Sequence, residues 1–537
     1  MKRVIIILAL VATVALPFIL RPPQATSENA DDSLVIITPH NEAIRHEFTT
    51  GFKVWYKNKT GRSAQIDWRV IGGTSEIARF LDSEYVSSFQ NYWTNQLGKS
   101  WSMEVQSAFA NGRLNSDAST EGKAAREAFL NSDVGCGIDL FFGGGSYDFI
   151  RQAQARRLVG SRIIKTHPEW FTDNSIPITF AGEQYWDDQG RWIGNVLSSY
   201  GILYNKDSIK RLGLITPPKA WRDLTDPKLI GEVALCDPTK SGSIAKAFEN
   251  LIQQQMQIRL RSLNQNSVGR DPKEIEAQAI REGWDEGMKI LRLLGANARY
   301  FTDSSQKPPI DVSQGNSAAG ICIDFYGRYQ AEAVTRRDDS GRLVYVTPLG
   351  GTVSSVDPIG LLRGAPNKEV AEMFIEFTLS MAGQKLWNFQ VGTPDGPERF
   401  ALRRLPVRRE FYAEEAWLKF RSDPTEEPYS GVDQLIYEPA WTGGLFREMA
   451  FGIRVMCLDT HAELVEAWRA IIAAGMPPEA MSALNDMSIL SYEQISGPIK
   501  QALGAKNKVD EVRLAKKLGA QLRVQYQHAA ELAREGK

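Results

Sequence analysis

The chain has 537 residues, of which 43% are hydrophobic and 24% are charged, and its 63 lysines and arginines nearly balance its 64 aspartates and glutamates. This composition is that of a soluble globular protein with room for about three domains, and it lacks the basic excess that nucleic-acid binding requires. The four cysteines lie far apart without a CxxC pair, and the five histidines include no HExxH motif. Zinc, iron–sulfur and thioredoxin-like sites are therefore not indicated.

The amino terminus has the pattern of an export signal. Lys2 and Arg3 precede an apolar run from Val4 to Leu20, and small residues precede Glu28. Residues 1–27 are therefore predicted to be a cleaved signal peptide. An uncleaved amino-terminal anchor is the alternative, because the run approaches the about 20 residues that span a bilayer. Either form places the protein in the periplasm, in the second case tethered to the membrane.

The first third of the chain alternates strands with helices. Apolar runs at 34–38, 66–70 and 138–142 predict buried strands, and each precedes a turn and a segment with helical spacing. This alternation is typical of a parallel α/β sheet. The polar, helix-prone stretch at about 86–135 is interpreted as an insertion.

The middle of the chain repeats this alternation. Further strands are predicted at 201–204, 233–236 and 319–323, and a long helix is predicted at about 244–263. From about Glu410 onward the pattern is mainly helical. The sequence therefore predicts two α/β lobes followed by a carboxy-terminal helical extension.

Four strand-to-helix turns carry glycine or hydroxyl residues: Thr38–Asn41, Gly72–Ser75, Gly143–Ser146 and Thr239–Ser243. Free backbone N–H groups at a helix start bind anions and carboxylates, and in open α/β sheets such turns converge on one crevice. Helix capping is the competing explanation for each turn taken alone.

Other candidate groups are less specific. Tyr326 and Asp324 follow a predicted strand and could contact a ligand or pack in the core, and His40 could bind a metal or an anion or be a simple turn residue. Ser243 and Lys246 match SxxK, but the KTG motif at 59–61 comes in the wrong order for a penicillin-recognising enzyme. No catalytic constellation or cofactor is indicated, and the chain is predicted not to be an enzyme.

Residues 34 to about 412 resemble extracellular solute-binding proteins of ABC importers, the class that contains ferric-ion, thiamine and polyamine binders. The order and spacing of several stretches carry this resemblance: LVIITPHNEAIRHEF at 34–48, IDLFFGGGSYDFI at 138–150, SYGILYNKD at 199–207, CDPTKSGS at 236–243 and VSSVDPIGLLRGAP at 353–366.

The resemblance implies an α/β, two-lobe periplasmic-binding-protein-like (type II) fold with a carboxy-terminal helical extension. Lobe 1 would comprise 34–198 and 345–410, lobe 2 would comprise 199–344, and the extension would comprise 411–537. Carried over by position, the residues lining the interlobe cleft would be Thr38, His40, Gly73, Thr74, Gly144, Ser146, Tyr200, Ser241, Gly242, Ser243, Asp324 and Tyr326.

The implied function is that of a periplasmic, monomeric binding component that captures a small anionic or zwitterionic solute, or ferric ion with an anion, and delivers it to an ABC permease in the inner membrane. His40 and Tyr326 would be metal ligands only for a ferric-type ligand, and Phe325 and Gly327 depart from the tyrosine pair of ferric sites. The alternative is a membrane-anchored solute-sensing or scaffold protein with the same two lobes. Iron, a phosphonate-like anion, thiamine and a polyamine all remain open as the solute, and no nucleic-acid partner is expected.

Overall fold

The computed structural model describes residues 30–536 except 113, 115–117, 267–268, 432–433 and 505–507. The predicted signal peptide or anchor at 1–27 lies outside the described residues. Among the described helices, none combines the length and apolarity that crossing a bilayer requires.

Strands are labelled in chain order through the described part of the chain. Most are short and buried. They are β1 Asp32–Ile37, β2 Ala64–Arg69, β3 Leu140–Phe142, β4 Leu158–Val159, β5 Thr179–Phe180, β6 Glu183–Gln184, β7 Ile193–Ser198, β8 Tyr200–Asn205, β9 Val233–Cys236, β10 Ala298–Thr302, β11 Ala319–Ile323, β12 Leu343–Val346, β13 Ser355–Leu362 and β14 Leu405–Pro406.

Two of the sheets organise the molecule. The sheet of lobe 1 has the order β14-β7-β13-β3-β1-β2, with β4 paired to β13, and the sheet of lobe 2 has the order β10-β9-β11-β8-β12. In lobe 1, β1 pairs in parallel with β2 and β3, whereas β13 is antiparallel to β3 and β7. The sheet is therefore mixed and not parallel as predicted, because β13 enters it after the chain has returned from lobe 2.

Two short crossings join the lobes. Between β7 and β8 the chain passes from Ser198 to Tyr200, and it returns through residues 347–354 between β12 and β13. The backbone N–H of Tyr200 donates to Oγ1 of Thr352 at 3.0 Å, so the two crossings are hydrogen-bonded to each other. This connection of two α/β sheets by crossing strands confirms the predicted two-lobe α/β fold class.

The α-helices surround both sheets and make up most of the carboxy-terminal region. In lobe 1 they are Glu42–Thr60, Thr74–Asn91, Met103–Phe109, Thr120–Leu130, Ser146–Gln154, Ile163–Thr166, Lys368–Leu379 and Met381–Asn388. In lobe 2 they are Lys206–Arg211, Gly242–Asn266, Pro272–Asn297, Lys307–Ser313 and Asp324–Asp338. In the carboxy-terminal region they are Glu410–Ala413, Pro439–Thr442, Phe446–Cys457, His461–Ala473, Pro478–Asn485, Tyr492–Gln494, Lys500–Gly504 and Lys508–Arg534.

Shorter helical turns connect these elements. Two are π-helical, Tyr92–Gln96 and Ile495–Ile499, and the 3₁₀ turns are Pro168–Trp170, Trp221–Thr225, Pro227–Leu229, Glu415–Phe420, Gly443–Leu445 and Ser488–Leu490.

The first long helix shows how local sequence sets these bounds. Oδ1 of Asn41 accepts a hydrogen bond from the N–H of Ile44 at 3.1 Å, which caps the start of helix Glu42–Thr60. Gly61 ends the helix with a φ of 75°, a left-handed conformation that glycine adopts without steric cost. The predicted helical spacing of apolar residues produces the buried face, which consists of Ile44, Glu47, Phe48, Phe52 and Tyr56.

The carboxy-terminal helices from Pro439 onward pack on lobe 2 and share its hydrophobic core. The side chains of Trp284, Trp468 and Tyr526 belong to this one core and are almost completely buried. Nε1 of Trp468 donates to Oδ1 of Asn297 at 2.8 Å, and Nε1 of Trp284 donates to the carbonyl oxygen of Leu490 at 2.8 Å. From Trp441 onward the helical extension is therefore structurally continuous with lobe 2, whereas residues 411–429 contact lobe 1, which has a core of its own.

Candidate functional site

Three of the four predicted turns meet within lobe 1. A Cβ atom placed on Gly143 would lie 2.2 Å from Nε2 of His40, and one placed on Gly144 would lie 2.3 Å from Oγ1 of Thr74. Both glycines also have positive φ angles. Glycine is therefore required at these two positions, where the three turns are in contact.

The fourth turn approaches the same place from lobe 2. A Cβ atom on Gly73 would lie 2.6 Å from the carbonyl oxygen of Lys240, and one on Gly242 would lie 3.7 Å from Oδ2 of Asp148. Lys240 precedes helix Gly242–Asn266 of lobe 2, and Gly242 is its first residue. The four turns are thus brought together at the junction of the lobes.

In lobe 1, part of the hydrogen-bonding capacity of these turns is already used within the protein. Oγ1 of Thr38 accepts from the N–H of His40 at 3.1 Å, and the N–H of Gly73 donates to Oε2 of Glu76 at 3.3 Å. A local turn therefore accounts for the role of Thr38, and helix capping with Glu76 accounts for that of Gly73.

The turn in lobe 2 is similarly self-contained. Oδ1 of Asp237 accepts from the N–H of Thr239 at 2.8 Å, and Oγ of Ser241 accepts from the N–H of Ile244 at 3.4 Å. In contrast, Gly145, the residue that precedes helix Ser146–Gln154, provides no side-chain cap. The Gly143–Ser146 turn is therefore the one that best fits the predicted role of a ligand-facing helix start.

A cavity of about 210 Å³ lies between the lobes beside this turn. Of the predicted site residues, Ser146, Tyr200 and Gly242 line it. Further charged or aromatic residues of lobe 1, lobe 2 and the carboxy-terminal region also line the cavity. They include Asp148, Glu183, Lys246, Glu249, Tyr437 and Phe446. The remaining predicted site residues lie outside these walls: Thr38, His40, Gly73, Thr74, Gly144, Ser241, Ser243, Asp324 and Tyr326.

Lys246 is the centre of a buried ion-pair cluster in the cavity wall. Its Nζ lies 2.6 Å from Oε1 of Glu183 and 2.9 Å from Oε2 of Glu249. Oε1 of Glu249 also accepts hydrogen bonds from the hydroxyls of Tyr437 at 2.9 Å and Thr442 at 2.6 Å. Burial lowers the pKa of Lys246, but the two carboxylates outweigh it and hold that pKa well above its usual value. The lysine of the SxxK pattern is therefore a fixed cation.

Asp148 is a charged residue of the cavity wall that lies outside the ion-pair cluster of Lys246. Its side chain lies in the first turn of helix Ser146–Gln154 and is only 5% exposed. It forms no hydrogen bond or ion pair with any other residue in the described part of the chain. Burial raises the pKa of this carboxyl to about 6, against the opposing effects of Arg151 and Arg79. Asp148 is therefore a buried, unpartnered carboxylate facing the cavity.

The bridging segment, residues 435–446, connects the carboxy-terminal region to both lobes. The N–H of Tyr437 donates to the carbonyl oxygen of Ala181 in lobe 1 at 2.8 Å. The N–H of Glu438 donates to Oε1 of Gln253 in lobe 2 at 2.8 Å. This segment is one wall of the cavity and a direct link between the lobes.

His40 lies behind the cavity in an aromatic, positively charged environment. Its ring packs against Phe142 and Trp387 with centroids 4.8 and 6.0 Å apart, and its Nε2 is buried without a hydrogen-bond partner. Burial, together with the charges of Arg404 and Arg45, lowers the pKa of His40 well below its usual value. These neighbouring cations disfavour a ferric ion at His40.

Asp324 and Tyr326 are built into the structure away from the cavity. Oδ2 of Asp324 accepts from Nη2 of Arg328 at 2.7 Å, and both side chains are buried. The ring of Tyr326 packs on Phe325 with centroids 4.1 Å apart, and burial raises the pKa of its phenol. Among the described residues, no three His, Cys, Asp or Glu side chains are grouped so that they could hold a metal ion.

Sequence reasoning missed most of the charged cavity wall. Asp148 follows the Gly143–Ser146 turn directly, and Lys246 and Glu249 are one helical turn apart, so these three residues gave a local signal. Glu183 and Tyr437 gave none, because only the tertiary structure brings them to the cavity.

Comparison with known proteins identifies relatives for part of the chain. Residues 138–403 match the family model of bacterial extracellular solute-binding proteins. An uncharacterized protein of Haemophilus influenzae is 25% identical over 252 residues, which are 46% of this chain and 60% of that protein. The phosphoglycerate transport regulatory protein PgtC of Salmonella typhimurium is 22% identical over 192 residues, 35% of this chain and 39% of that protein. The match thus spans less than two thirds of either relative.

Two solved structures are similar to most of the chain at low identity. The periplasmic binding protein AfuA of Actinobacillus pleuropneumoniae, with fructose-6-phosphate bound, is 16% identical with a TM-score of 0.49, over 82% of this chain and 98% of that one. Iron-bound HitA of Pseudomonas aeruginosa is 15% identical with a TM-score of 0.46, over 78% and 99%. Neither similarity indicates which solute this chain binds.

Proposed function

We propose, from the match of residues 138–403 to the family of bacterial extracellular solute-binding proteins, that the chain belongs to this family and captures a small polar solute in the cavity between its lobes. The observation that carries the proposal is that one cavity is walled by lobe 1 at Ser146, by the crossing at Tyr200 and by lobe 2 at Gly242. A solute that contacts all three parts stabilises the closed arrangement of the lobes.

The energetics of such a site are those of buried polar contacts. A micromolar dissociation constant corresponds to about 8 kcal/mol. Several charge-assisted hydrogen bonds of about 1.5–3 kcal/mol each supply this after ordering costs are subtracted. Exclusion of water from the cavity strengthens each of these bonds.

Two solute classes were predicted, anionic and zwitterionic. The charges of the cavity wall favour the zwitterionic class. Asp148, Glu183 and Glu249 face one lysine, Lys246, so the wall carries more negative than positive charge. A purely anionic solute would be repelled by this excess, whereas a zwitterion can place its cationic group there. The name of the Salmonella relative refers to phosphoglycerate, which is therefore a useful anionic comparison.

In the cell, we propose that the protein acts in the periplasm as a monomer and passes its solute to an ABC permease of the inner membrane. The family relationship supports this role, since extracellular solute-binding proteins deliver solutes to importers. The balanced charge of the chain gives no support to a nucleic-acid partner.

A cavity-filling variant tests the proposal. A Cβ on Gly145 meets no atom within 4 Å, and Gly145 lines the cavity, so Gly145→Phe places a ring in it without backbone strain. We expect a screen of zwitterionic, cationic and anionic solutes, including phosphoglycerate, to yield ligands that raise Tm and bind one per chain by isothermal titration calorimetry. Gly145→Phe should abolish this binding.

The matched control is Gly497→Phe, because Gly497 is exposed and also has open space around its Cβ position. This variant should bind like the wild type. Absence of any bound solute, or equal binding by Gly145→Phe, would show that the cavity is not the binding site.

A further inference from the structure

The cavity has an aromatic wall as well as a charged one. The rings of Tyr147, Tyr200, Tyr437 and Phe446 line it. Tyr147 and Phe446 pack against each other with centroids 4.5 Å apart, which joins lobe 1 to the carboxy-terminal region. Aromatic faces attract cations because of their negative quadrupole.

One ring of this wall already holds an ammonium group. Nζ of Lys246 lies 3.3 Å from the centroid of the Tyr437 ring, and Glu183 and Glu249 complete the surroundings of that charge. The wall therefore has the chemistry of an ammonium site, in which rings and carboxylates together replace water around a cation.

Asp148 is the one carboxylate of the described cavity wall that lacks a partner. Glu183 and Glu249 are both committed to Lys246, whereas the 5% exposed side chain of Asp148 forms no hydrogen bond or ion pair with another described residue. Burial of a carboxylate without a hydrogen bond or ion pair is costly, the more distant charges of Arg151 and Arg79 offset only part of that cost, and a cationic ligand reduces it further.

We infer that Asp148 binds the ammonium group of an amine-bearing solute against the aromatic wall of the cavity. The inference rests on the proposed solute-binding function and adds the substrate class to it. The solute is a small organic ammonium compound, with Asp148 as counter-ion and the rings of Tyr147 and Phe446 beside it.

The test uses named probes and a charge-neutral variant. Glycine betaine, choline, L-alanine and putrescine serve as ammonium probes, and phosphoglycerate and acetate serve as anionic probes. Isothermal titration calorimetry should show that the wild type binds at least one ammonium probe, and that Asp148→Asn weakens this binding at least tenfold. Asp285→Asn is the matched control, because Oδ1 of Asp285 is also buried without a partner but lies outside the cavity wall.

The outcomes separate the two proposals. Ammonium binding that is unchanged in Asp148→Asn, or tight binding of the anionic probes alone, overturns the assignment of Asp148 and leaves the solute-binding function standing. Failure of the wild type to bind any probe counts against both proposals. Unchanged near-ultraviolet circular dichroism of Asp148→Asn excludes misfolding as the cause of lost affinity.

Discussion

Asp148 is buried beside the cavity at a cost to stability. Its pKa of about 6 lies above the usual value of 3.8, so the folded state disfavours the ionised form. The folded protein then binds a proton more readily than the unfolded chain, and stability falls as the pH rises from about 4 to 6. The charged groups around Asp148 are Arg151 and Arg79 in lobe 1 and the cluster of Lys246 across the cavity.

We therefore predict that Asp148→Asn stabilises the ligand-free protein at pH 7.5, by about 1–3 kcal/mol, because the substitution removes this buried charge. The gain should shrink toward zero near pH 3, below both pKa values, where Asp148 is protonated in the folded and the unfolded state. Urea denaturation at the two pH values measures the difference. A variant that is less stable than the wild type at pH 7.5 would show that the carboxylate has a structural partner.

Substitution of Lys246 is expected to destabilise the protein, in contrast to Asp148→Asn. Lys246→Met leaves Glu183 and Glu249 as uncompensated buried charges, so we expect the free energy of unfolding to fall by about 3–5 kcal/mol. The matched control is Lys307→Met, because Lys307 forms an exposed ion pair with Asp303 at 2.6 Å and its loss should leave the urea midpoint unchanged. Equal effects of the two substitutions would contradict the buried role of Lys246.

At the residue scale, a local strand-to-helix pattern marks two of the predicted site residues that line the cavity. Ser146 and Gly242 each begin a helix a few residues after a strand, and the structure places both in the cavity wall. His40 has the same local context, yet the fold places its ring against Phe142 and Trp387. Which face of a turn points to the cavity is decided by packing partners distant in sequence, and no local pattern contains them.

At the scale of elements, the closest helix pair in lobe 2 depends on glycine. A Cβ on Gly283 would lie 2.2 Å from Cα of Met256, so helices Pro272–Asn297 and Gly242–Asn266 touch at backbone distance. We predict that Gly283→Ala lowers the free energy of unfolding by about 1–3 kcal/mol or more, because the backbone must shift. Thermal and urea denaturation measure the loss.

Gly497→Ala is the comparison, since Gly497 lies in the π-helical turn Ile495–Ile499 with nothing within 4 Å of its Cβ position. This substitution should be neutral or stabilising by up to about 1 kcal/mol. If Gly283→Ala were as harmless as Gly497→Ala, this result would contradict the close contact between helices Pro272–Asn297 and Gly242–Asn266.

The strands that the sequence predicted are those whose own residues are apolar. β9 and β11 match the predicted runs at 233–236 and 319–323, because both are short, apolar and buried on both faces. β7 and β13, the sequences IGNVLS and SVDPIGLL, were missed because Gly, Asn, Asp and Pro are typical of loops. They are strands because neighbouring strands enclose them, and the pairing shifts register at Asp357/Pro358 to accommodate the proline.

At the scale of the whole molecule, the carboxy-terminal helices and lobe 2 form one structural unit. Trp468 is buried in their common core and hydrogen-bonds to Asn297 at the end of helix Pro272–Asn297. We predict that Trp468→Ala costs about 3–5 kcal/mol and accelerates amide hydrogen exchange in both helix His461–Ala473 and helix Pro272–Asn297.

Amides of β1 and β2, whose side chains belong to the separate core of lobe 1, should exchange at the wild-type rate in that variant. Hydrogen-exchange mass spectrometry distinguishes the two regions. Acceleration confined to helix His461–Ala473, with helix Pro272–Asn297 unchanged, would contradict a shared unit.

The central claim is that the interlobe cavity holds a small solute, and native mass spectrometry of the protein purified from its own periplasm tests it most directly. The wild type and Gly497→Phe should each carry one small molecule per chain, and Gly145→Phe should carry none. A wild-type chain free of any small molecule, or the same bound mass on Gly145→Phe, would contradict the claim.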